Sequence, residues 1–98
     1  MDIGYTLRGI DFEWDKAKAA ANFSKHKVSF ETAVEVFFDP FLVGGGVEII
    51  EGEQRETVVG AAENLRILYV VYTIRNEIIR IIPARVVTKP ERNRYENQ

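Results

Sequence analysis

The chain has 98 residues, of which 46% are hydrophobic and 29% charged, and its formal net charge is −2. This size and composition predict one globular domain, residues 1–98, rather than a disordered chain. The absence of cysteine excludes disulfides and thiol catalysis, and a single histidine excludes a histidine-based metal cluster. The start of the chain does not resemble a signal peptide, and the longest apolar run, Ile67–Tyr72, is too short for a membrane span. We therefore expect a cytoplasmic protein.

Two helices are predicted in the first half of the chain, after residues 1–11, which are interpreted as an N-terminal extension. Asp15 is a suitable N-cap for a helix from Lys16 to about His26, where Ala and Lys favour helix formation. Ser29 is a suitable N-cap for a second helix, which ends before Pro40 because proline disfavours helix at the preceding residue. The apolar face of this second helix consists of Phe30, Ala33, Val34 and Phe37.

Beyond Phe41 the pattern predicts strands rich in Val, Ile, Thr and Tyr. The predicted strands are Phe41–Val43, with a second piece at Val47–Gly52, then Gln54–Ala61, Leu65–Ile74 and Glu77–Arg85. We interpret Gly44-Gly45-Gly46 as a flexible turn and Arg75-Asn76 as a tight turn. Leu65–Ile74 is apolar on both faces and is expected to be central. Pro83 has no backbone N–H, so its strand is expected to be an edge strand or to be bulged there.

A last short helix is predicted because Thr88-Lys89-Pro90-Glu91 has the pattern of a capping box. The predicted fold class is therefore α+β. It has two N-terminal helices, an antiparallel four-stranded meander and a short C-terminal helix.

Positive charge is concentrated at the C-terminal end. From Asn64 to Gln98 there are seven Arg or Lys against three Glu, although the whole chain is acidic. This segregation favours phosphate binding, although a solvated Arg-rich surface would explain it equally well. The predicted turns place Arg55 and Arg80 near one end of the sheet and Arg66 and Arg85 near the other. Each guanidinium matches the geometry of phosphate oxygens, or it could pair with a nearby glutamate.

Three further features have a functional and a structural interpretation. Asp11, Glu13 and Asp15 alternate and could hold a magnesium ion, but Asp15 is better explained as a helix cap, so no metal site is expected. His26 could be a general base, or it could interact with the C-terminal dipole of its helix. Tyr95, near cations, could have a lowered pKa and transfer protons, or it could pack the last helix onto the domain.

Three sequence blocks carry a resemblance to a known family. They are FEWDKAKAAANFSKHKVSFETAVEVFFDP, EQRETVVG and RILYVVYTIRNEIIRIIPARVVTKPERNRYE, which begin at Phe12, Glu53 and Arg66. Together they resemble the BrnT toxins of bacterial type II toxin–antitoxin pairs. The resemblance implies a RelE-like fold and a ribonuclease that inhibits translation. It also implies a BrnA-like antitoxin with a ribbon-helix-helix part, through which the complex would contact operator DNA.

The resemblance also supplies candidate site residues. No cofactor, metal ion or membrane is expected to take part. The catalytic candidates are Arg55, Arg80, Tyr95 and His26. The RNA-binding candidates are Lys25, Arg85, Arg92 and Arg94.

The chain departs from the family pattern at three places. Lys27 replaces a glycine, Pro83 replaces a small polar residue, and GGGVEIIEG replaces a polar loop that often contains histidine. Two interpretations follow. In the first, the chain is a metal-independent endoribonuclease in which a ribose 2′-hydroxyl attacks the adjacent phosphate, and Arg55 and Arg80 stabilise the phosphorane. In the second, it is a catalytically inactive antitoxin-binding and co-repressor module.

Overall fold

The computed structural model describes residues 1–98 and contains a six-stranded sheet with three short helical elements on one face. In chain order the elements are β1 (Asp2–Leu7), β2 (Ile10–Asp15), α1 (Lys16–His26), α2 (Phe30–Ala33) continued by a 3₁₀ helix (Val34–Phe38), β3 (Val43–Ile50), β4 (Glu53–Ala61), β5 (Ile67–Arg75), β6 (Ile78–Val86) and α3 (Lys89–Glu96). The strand order is β1-β2-β6-β5-β4-β3. All neighbours are antiparallel except β2 and β6. None of the helices is long and apolar enough to cross a membrane.

The predicted helix starts are confirmed, because each predicted cap makes its hydrogen bond. Asp15 accepts a hydrogen bond from the backbone N–H of Lys18, and Ser29 accepts one from Thr32. Lys27 ends α1 in the left-handed conformation, with φ 57°, where glycine would be less strained. Thr88 forms the predicted capping box of α3. The second helix is shorter than predicted and continues as a 3₁₀ turn.

The two faces of the sheet differ. The hydrophobic core lies between the sheet and α1, α2 and the 3₁₀ helix; we call this side the helical face. Its fully buried side chains include Phe12, Phe30, Leu68, Val28, Val34, Val36 and Val70. Asn22 of α1 is buried and bonds to both the backbone carbonyl and N–H of Ala84 in β6, which fixes the helix on the sheet. The opposite side, the open face, is covered only at one end, by α3.

The prediction of a four-stranded meander is wrong in strand number. Most of residues 1–11 form a hairpin of β1 and β2, and β2 lies parallel to β6, with Phe12 opposite Ile79 and Glu13 opposite Arg80. The hairpin adds two strands, so only β3–β6 form a meander. Ile3, Tyr5 and Leu7 of β1 alternate with polar or small residues and are partly buried, which is the pattern of a strand that the interpretation as an extension missed. The β2–β6 pairing joins distant segments and leaves no local signal.

Two predicted turns are also corrected. Gly44-Gly45-Gly46 lies inside β3 rather than in a turn. Gly45 has no room for a side chain there, because a Cβ atom would collide with the side chain of Thr57 on β4. The β5–β6 turn is formed by Asn76 and Glu77, both with positive φ, so Arg75 belongs to β5.

The predictions for β5 and β6 are confirmed. β5 is an interior strand between β4 and β6. The register changes from Val70 opposite Ala84 to Tyr72 opposite Ile81. Two residues of β6, Ile82 and Pro83, therefore share one partner on β5, which is the bulge expected at the proline.

Candidate nucleic-acid interface

Arg55 and Arg80 occupy one row across the open face. Arg80 on β6 lies opposite Thr73 on β5. Glu56 lies opposite Tyr72, which brings Arg55 of β4 opposite the other side of Thr73. The Thr73 side chain is buried and donates a hydrogen bond of 2.7 Å to the backbone carbonyl of Gln54. The two arginines therefore share one end of the sheet, separated by a single strand.

Arg80 is held by two carboxylates from the N-terminal hairpin. Its Nη1 donates to Glu13 Oε2 at 2.9 Å and its Nη2 donates to Asp2 Oδ1 at 3.0 Å. These hydrogen bonds raise the pKa of Arg80, and the bond from Arg80 lowers the pKa of Asp2. The side chain is only 13% exposed. A phosphate that reached Arg80 would compete with carboxylates already in place.

Arg55 has no such partner. Its Nε atom is buried and makes no hydrogen bond, and the nearest carboxylate oxygen, Glu53 Oε1, lies 3.8 Å away. Glu53 is engaged by Arg75, which donates to it at 2.7 Å and lowers the pKa of the carboxyl. Among the arginines at this end, Arg55 keeps the capacity to bind an added anion.

The charge of this group is balanced. We call it the β-end cluster; its cations are Arg55, Arg75 and Arg80, and its anions are Asp2, Glu13 and Glu53. The C-terminal third is basic in sequence, but acidic side chains from β1, β2 and β4 offset that charge in space. This end of the sheet therefore does not present a strongly positive electrostatic field to RNA.

Two clefts of the open face meet at Arg55. The smaller, of about 100 Å³, also contacts Asp15, Lys18, Arg75 and Arg80. The larger, of about 240 Å³, extends toward β3 and the β6 bulge. It is lined by Glu48, Ile50, Arg55, Thr57, Tyr69, Val71, Ile82 and Pro83. Arg55 is thus the charged side chain common to both clefts.

At the other end of the open face, arginines attach α3 to the sheet. Arg85 binds Glu91 through two hydrogen bonds of 2.8 and 2.9 Å and lies 4.2 Å from the ring centroid of Tyr69. The same glutamate accepts the backbone N–H of Thr88 in the capping box. These bonds, chiefly that from Arg85, lower the pKa of Glu91 to about 2.

The remaining candidates on α3 also have partners. Tyr95 donates a hydrogen bond to Asp39, and burial together with this bond raises the pKa of Tyr95 to about 12. The bond to Asp39 agrees with the interpretation in which Tyr95 packs the last helix onto the domain. Arg94 donates to the backbone carbonyl of Gly44 at 2.9 Å, and Arg92 lies 3.8 Å from Glu96.

Lys25 and His26 lie at the end of α1, on the helical face. The carbonyl of the next residue, Lys27, accepts a hydrogen bond of 2.8 Å from Arg66, which immediately precedes β5. That end of the sheet is opposite to the β-end cluster. The structure thus does not bring His26 or Tyr95 beside Arg55 and Arg80, and their catalytic roles stay predictions.

The structure adds acidic neighbours that sequence reasoning missed. Asp2 lay in a segment interpreted as an extension, and Glu13 reaches Arg80 only through the long-range β2–β6 pairing. Glu48 lies opposite Arg55 in the β3–β4 ladder. It was missed because the triple glycine was interpreted as a turn that interrupts β3.

A family model described as the ribonuclease toxin BrnT of a type II toxin–antitoxin system matches residues 14–91. The chain belongs to the BrnT family. An antitoxin partner is implied by a family of this type. Asp2 and Glu13 lie outside the matched residues.

A similar fold occurs in the crystal structure of the Brucella abortus ribonuclease toxin BrnT. The TM-score is 0.52 at 20% sequence identity, and the superposition covers 78% of this chain and 94% of that one. At this identity the likeness shows the shared fold. No curated protein matches the sequence.

Proposed function

We propose that the chain is a metal-independent endoribonuclease toxin that cleaves RNA on the open face of its sheet and thereby inhibits translation. Family membership supports the activity class. The observation that carries the proposal is the guanidinium of Arg55, which makes no hydrogen bond within the chain and lies where two clefts meet. A cation with free donors in a concave site is what a scissile phosphate requires.

In the proposed reaction, the ribose 2′-hydroxyl oxygen forms a bond to the adjacent phosphorus and the bond to the 5′-oxygen breaks. The products are a 2′,3′-cyclic phosphate and a 5′-hydroxyl end. The 2′-hydroxyl proton passes to water in the open cleft, and the departing oxygen takes a proton from water. Arg55 stabilises the charge that develops on the phosphorane, and Arg80 supplies a second cation.

The neutralising partner is a BrnA-like antitoxin with a ribbon-helix-helix part. Contact with operator DNA would then occur through the antitoxin. The charge-balanced β-end cluster supports this assignment, since it presents no large positive field of the kind that DNA-binding surfaces carry.

A second candidate function is an antitoxin-binding and co-repressor module without catalysis. The specific observation in its favour is that both terminal nitrogens of Arg80 are engaged by Asp2 and Glu13. His26, the single histidine of the chain, lies away from this site.

Induced expression and RNA end analysis separate the two functions. The toxin should arrest growth, and the purified chain should release RNA fragments that end in a 2′,3′-cyclic phosphate. Cleavage should continue in EDTA, because Asp11, Glu13 and Asp15 bind Thr6, Arg80 and the α1 N-terminus instead of converging on one point. Normal growth with intact RNA, but binding of the antitoxin, would favour the co-repressor module.

A further inference from the structure

We propose that the larger cleft beside Arg55 is a pocket for one unpaired nucleobase of single-stranded RNA, and that Glu48 makes it prefer guanine. The inference rests on the proposed function, because it assigns the substrate base that would lie next to the phosphate held by Arg55.

The shape of the cleft depends on the β6 bulge. Because Ile82 and Pro83 share one partner on β5, both side chains line the same cleft, where a regular strand would present only one of them. Val71 of β5 and Ile50 of β3 complete apolar walls. The cleft holds about 240 Å³, and its walls offer a planar ring apolar contact.

One edge of the cleft carries an unused acceptor. Glu48 lines it, its residue is exposed, and it makes no hydrogen bond or ion pair within the chain. An ionised carboxylate is an acceptor only, with two oxygens that match two parallel N–H donors. The Glu48 carboxylate therefore selects bases by the donors on their Watson–Crick edge.

Guanine fits that requirement best. Its N1–H and N2–H₂ groups are adjacent donors, so both can bond to one carboxylate. Adenine, cytosine and uracil each place an acceptor beside their donor, and that acceptor would face the negative charge. In a duplex these edges are paired, so the pocket requires a single-stranded segment.

Arg55 connects the pocket to the reaction. It lies opposite Glu48 in the β3–β4 ladder and reaches both clefts. A base bound at Glu48 would bring its own phosphate toward Arg55. Base recognition and phosphate stabilisation would then occur on adjacent strands.

The test uses 2′-O-methyl pentanucleotides, which lack the attacking hydroxyl, with the sequences UUGUU, UUAUU, UUCUU and UUUUU. Binding to the full chain is measured by fluorescence anisotropy at fixed salt, and by amide chemical shifts. We expect UUGUU to bind about tenfold more tightly than the other three, as for a good bidentate contact. Shifts should concentrate on β3, β5 and the β6 bulge.

Two variants and one control sharpen the test. E48Q should reduce the guanine preference to less than about twofold, because an amide presents one acceptor and one donor. E51Q makes the same chemical change in the β3–β4 turn, outside the cleft, and should keep the preference. Ile82→Ala should weaken all four oligonucleotides alike, because it removes apolar wall.

Equal affinity for the four oligonucleotides would overturn the pocket, as would a guanine preference that survives in E48Q. Failure of the proposed nuclease function would give a different result from failure of the pocket. Guanine-selective binding with no cleavage of unmodified RNA would leave the pocket standing and remove the nuclease activity. Cleavage of RNA without base preference would support the nuclease activity and overturn the guanine pocket.

Discussion

The two ends of the open face use the same residue type in different ways. At the α3 end, Arg85 has a bidentate carboxylate partner that belongs to a helix cap. At the β end, Arg75 and Arg80 are also paired, but Arg55 retains a buried donor without a partner. One end attaches a helix, and the other end holds a guanidinium that the fold does not need.

This difference shows why counting arginines in the sequence is a poor guide to a site. A buried or half-buried guanidinium with full hydrogen bonding contributes to the fold, and a phosphate must displace its partners. A guanidinium whose donors remain free gains partners when an anion binds, so the same contact is favourable. We therefore expect the β end to contribute mainly to RNA cleavage and the α3 end mainly to stability.

The largest effect is expected from Arg55→Ala. It should lower the RNA cleavage rate by about 100-fold or more, which is typical of removing one donor that stabilises a developing oxyanion. Cleavage is measured as single-turnover rates on unstructured RNA. The melting temperature should change little, because Arg55 makes no hydrogen bond through its buried Nε.

Arg8→Ala is the matched control for this variant. Arg8 is an arginine with an exposed ion pair to Glu63, away from the β-end cluster. The comparison fails if both alanine variants keep the parental cleavage rate, or if both lose it equally.

The next effect concerns stability at the α3 end. Arg85→Ala should reduce the free energy of unfolding by about 1–2 kcal/mol, because it breaks two charge-assisted hydrogen bonds that are partly exposed. Per folded molecule, it should lose less cleavage activity than Arg55→Ala. Urea denaturation monitored by circular dichroism measures the stability.

Arg92→Ala provides the control on the same end, since its pair with Glu96 is exposed and 3.8 Å long. It should cost less than about 0.5 kcal/mol. A larger loss for Arg92→Ala than for Arg85→Ala would contradict the role assigned to the Arg85–Glu91 pair.

Local sequence signals predicted most of the helices and strands that form the two ends of the open face. The caps at Asp15, Ser29 and Thr88 marked helix starts correctly, because each acts through bonds within three residues. The proline bulge was also predictable, since a missing backbone N–H has a local consequence. The shared end of Arg55 and Arg80 followed from turn positions alone.

The partners of the site arginines depend on contacts between distant segments, and these could not be predicted from local sequence. A turn at Arg75-Asn76 would place Arg80 opposite Val71, whereas the structure places it opposite Thr73, because the turn lies one residue later, at Asn76 and Glu77. Asp2 and Glu13 reach Arg80 across 78 and 67 residues of sequence. No pattern in either segment encodes that pairing, so the partners of an arginine, and hence its availability, could not be inferred.

Acid should weaken the α3 end selectively. The pKa of Glu91 is about 2 in the folded chain against an ordinary value of 4.5. Since the folded-state pKa is the lower one, its contribution to stability is complete above about pH 4.5 and is lost as the pH falls toward about 2. Comparing urea unfolding of the parent and Glu91→Gln across this range should show the steeper loss in the parent. Parallel curves for the two proteins would exclude Glu91 as the source.

The smallest effect is expected from Asp2→Asn, which probes the paired arginine of the β end. Its carboxylate occupies Nη2 of Arg80 at 3.0 Å, so an RNA phosphate must compete with it. The neutral amide should compete less, and affinity for a 2′-O-methyl RNA should rise about threefold, as befits an exposed ion pair. Asp11→Asn makes the same change of charge on β2, where the carboxylate accepts from Thr6 rather than from an arginine. An equal gain in both variants would mean that net charge alone, and not release of Arg80, governs binding. A gain confined to Asp2→Asn would show that the N-terminal hairpin limits how strongly Arg80 engages RNA.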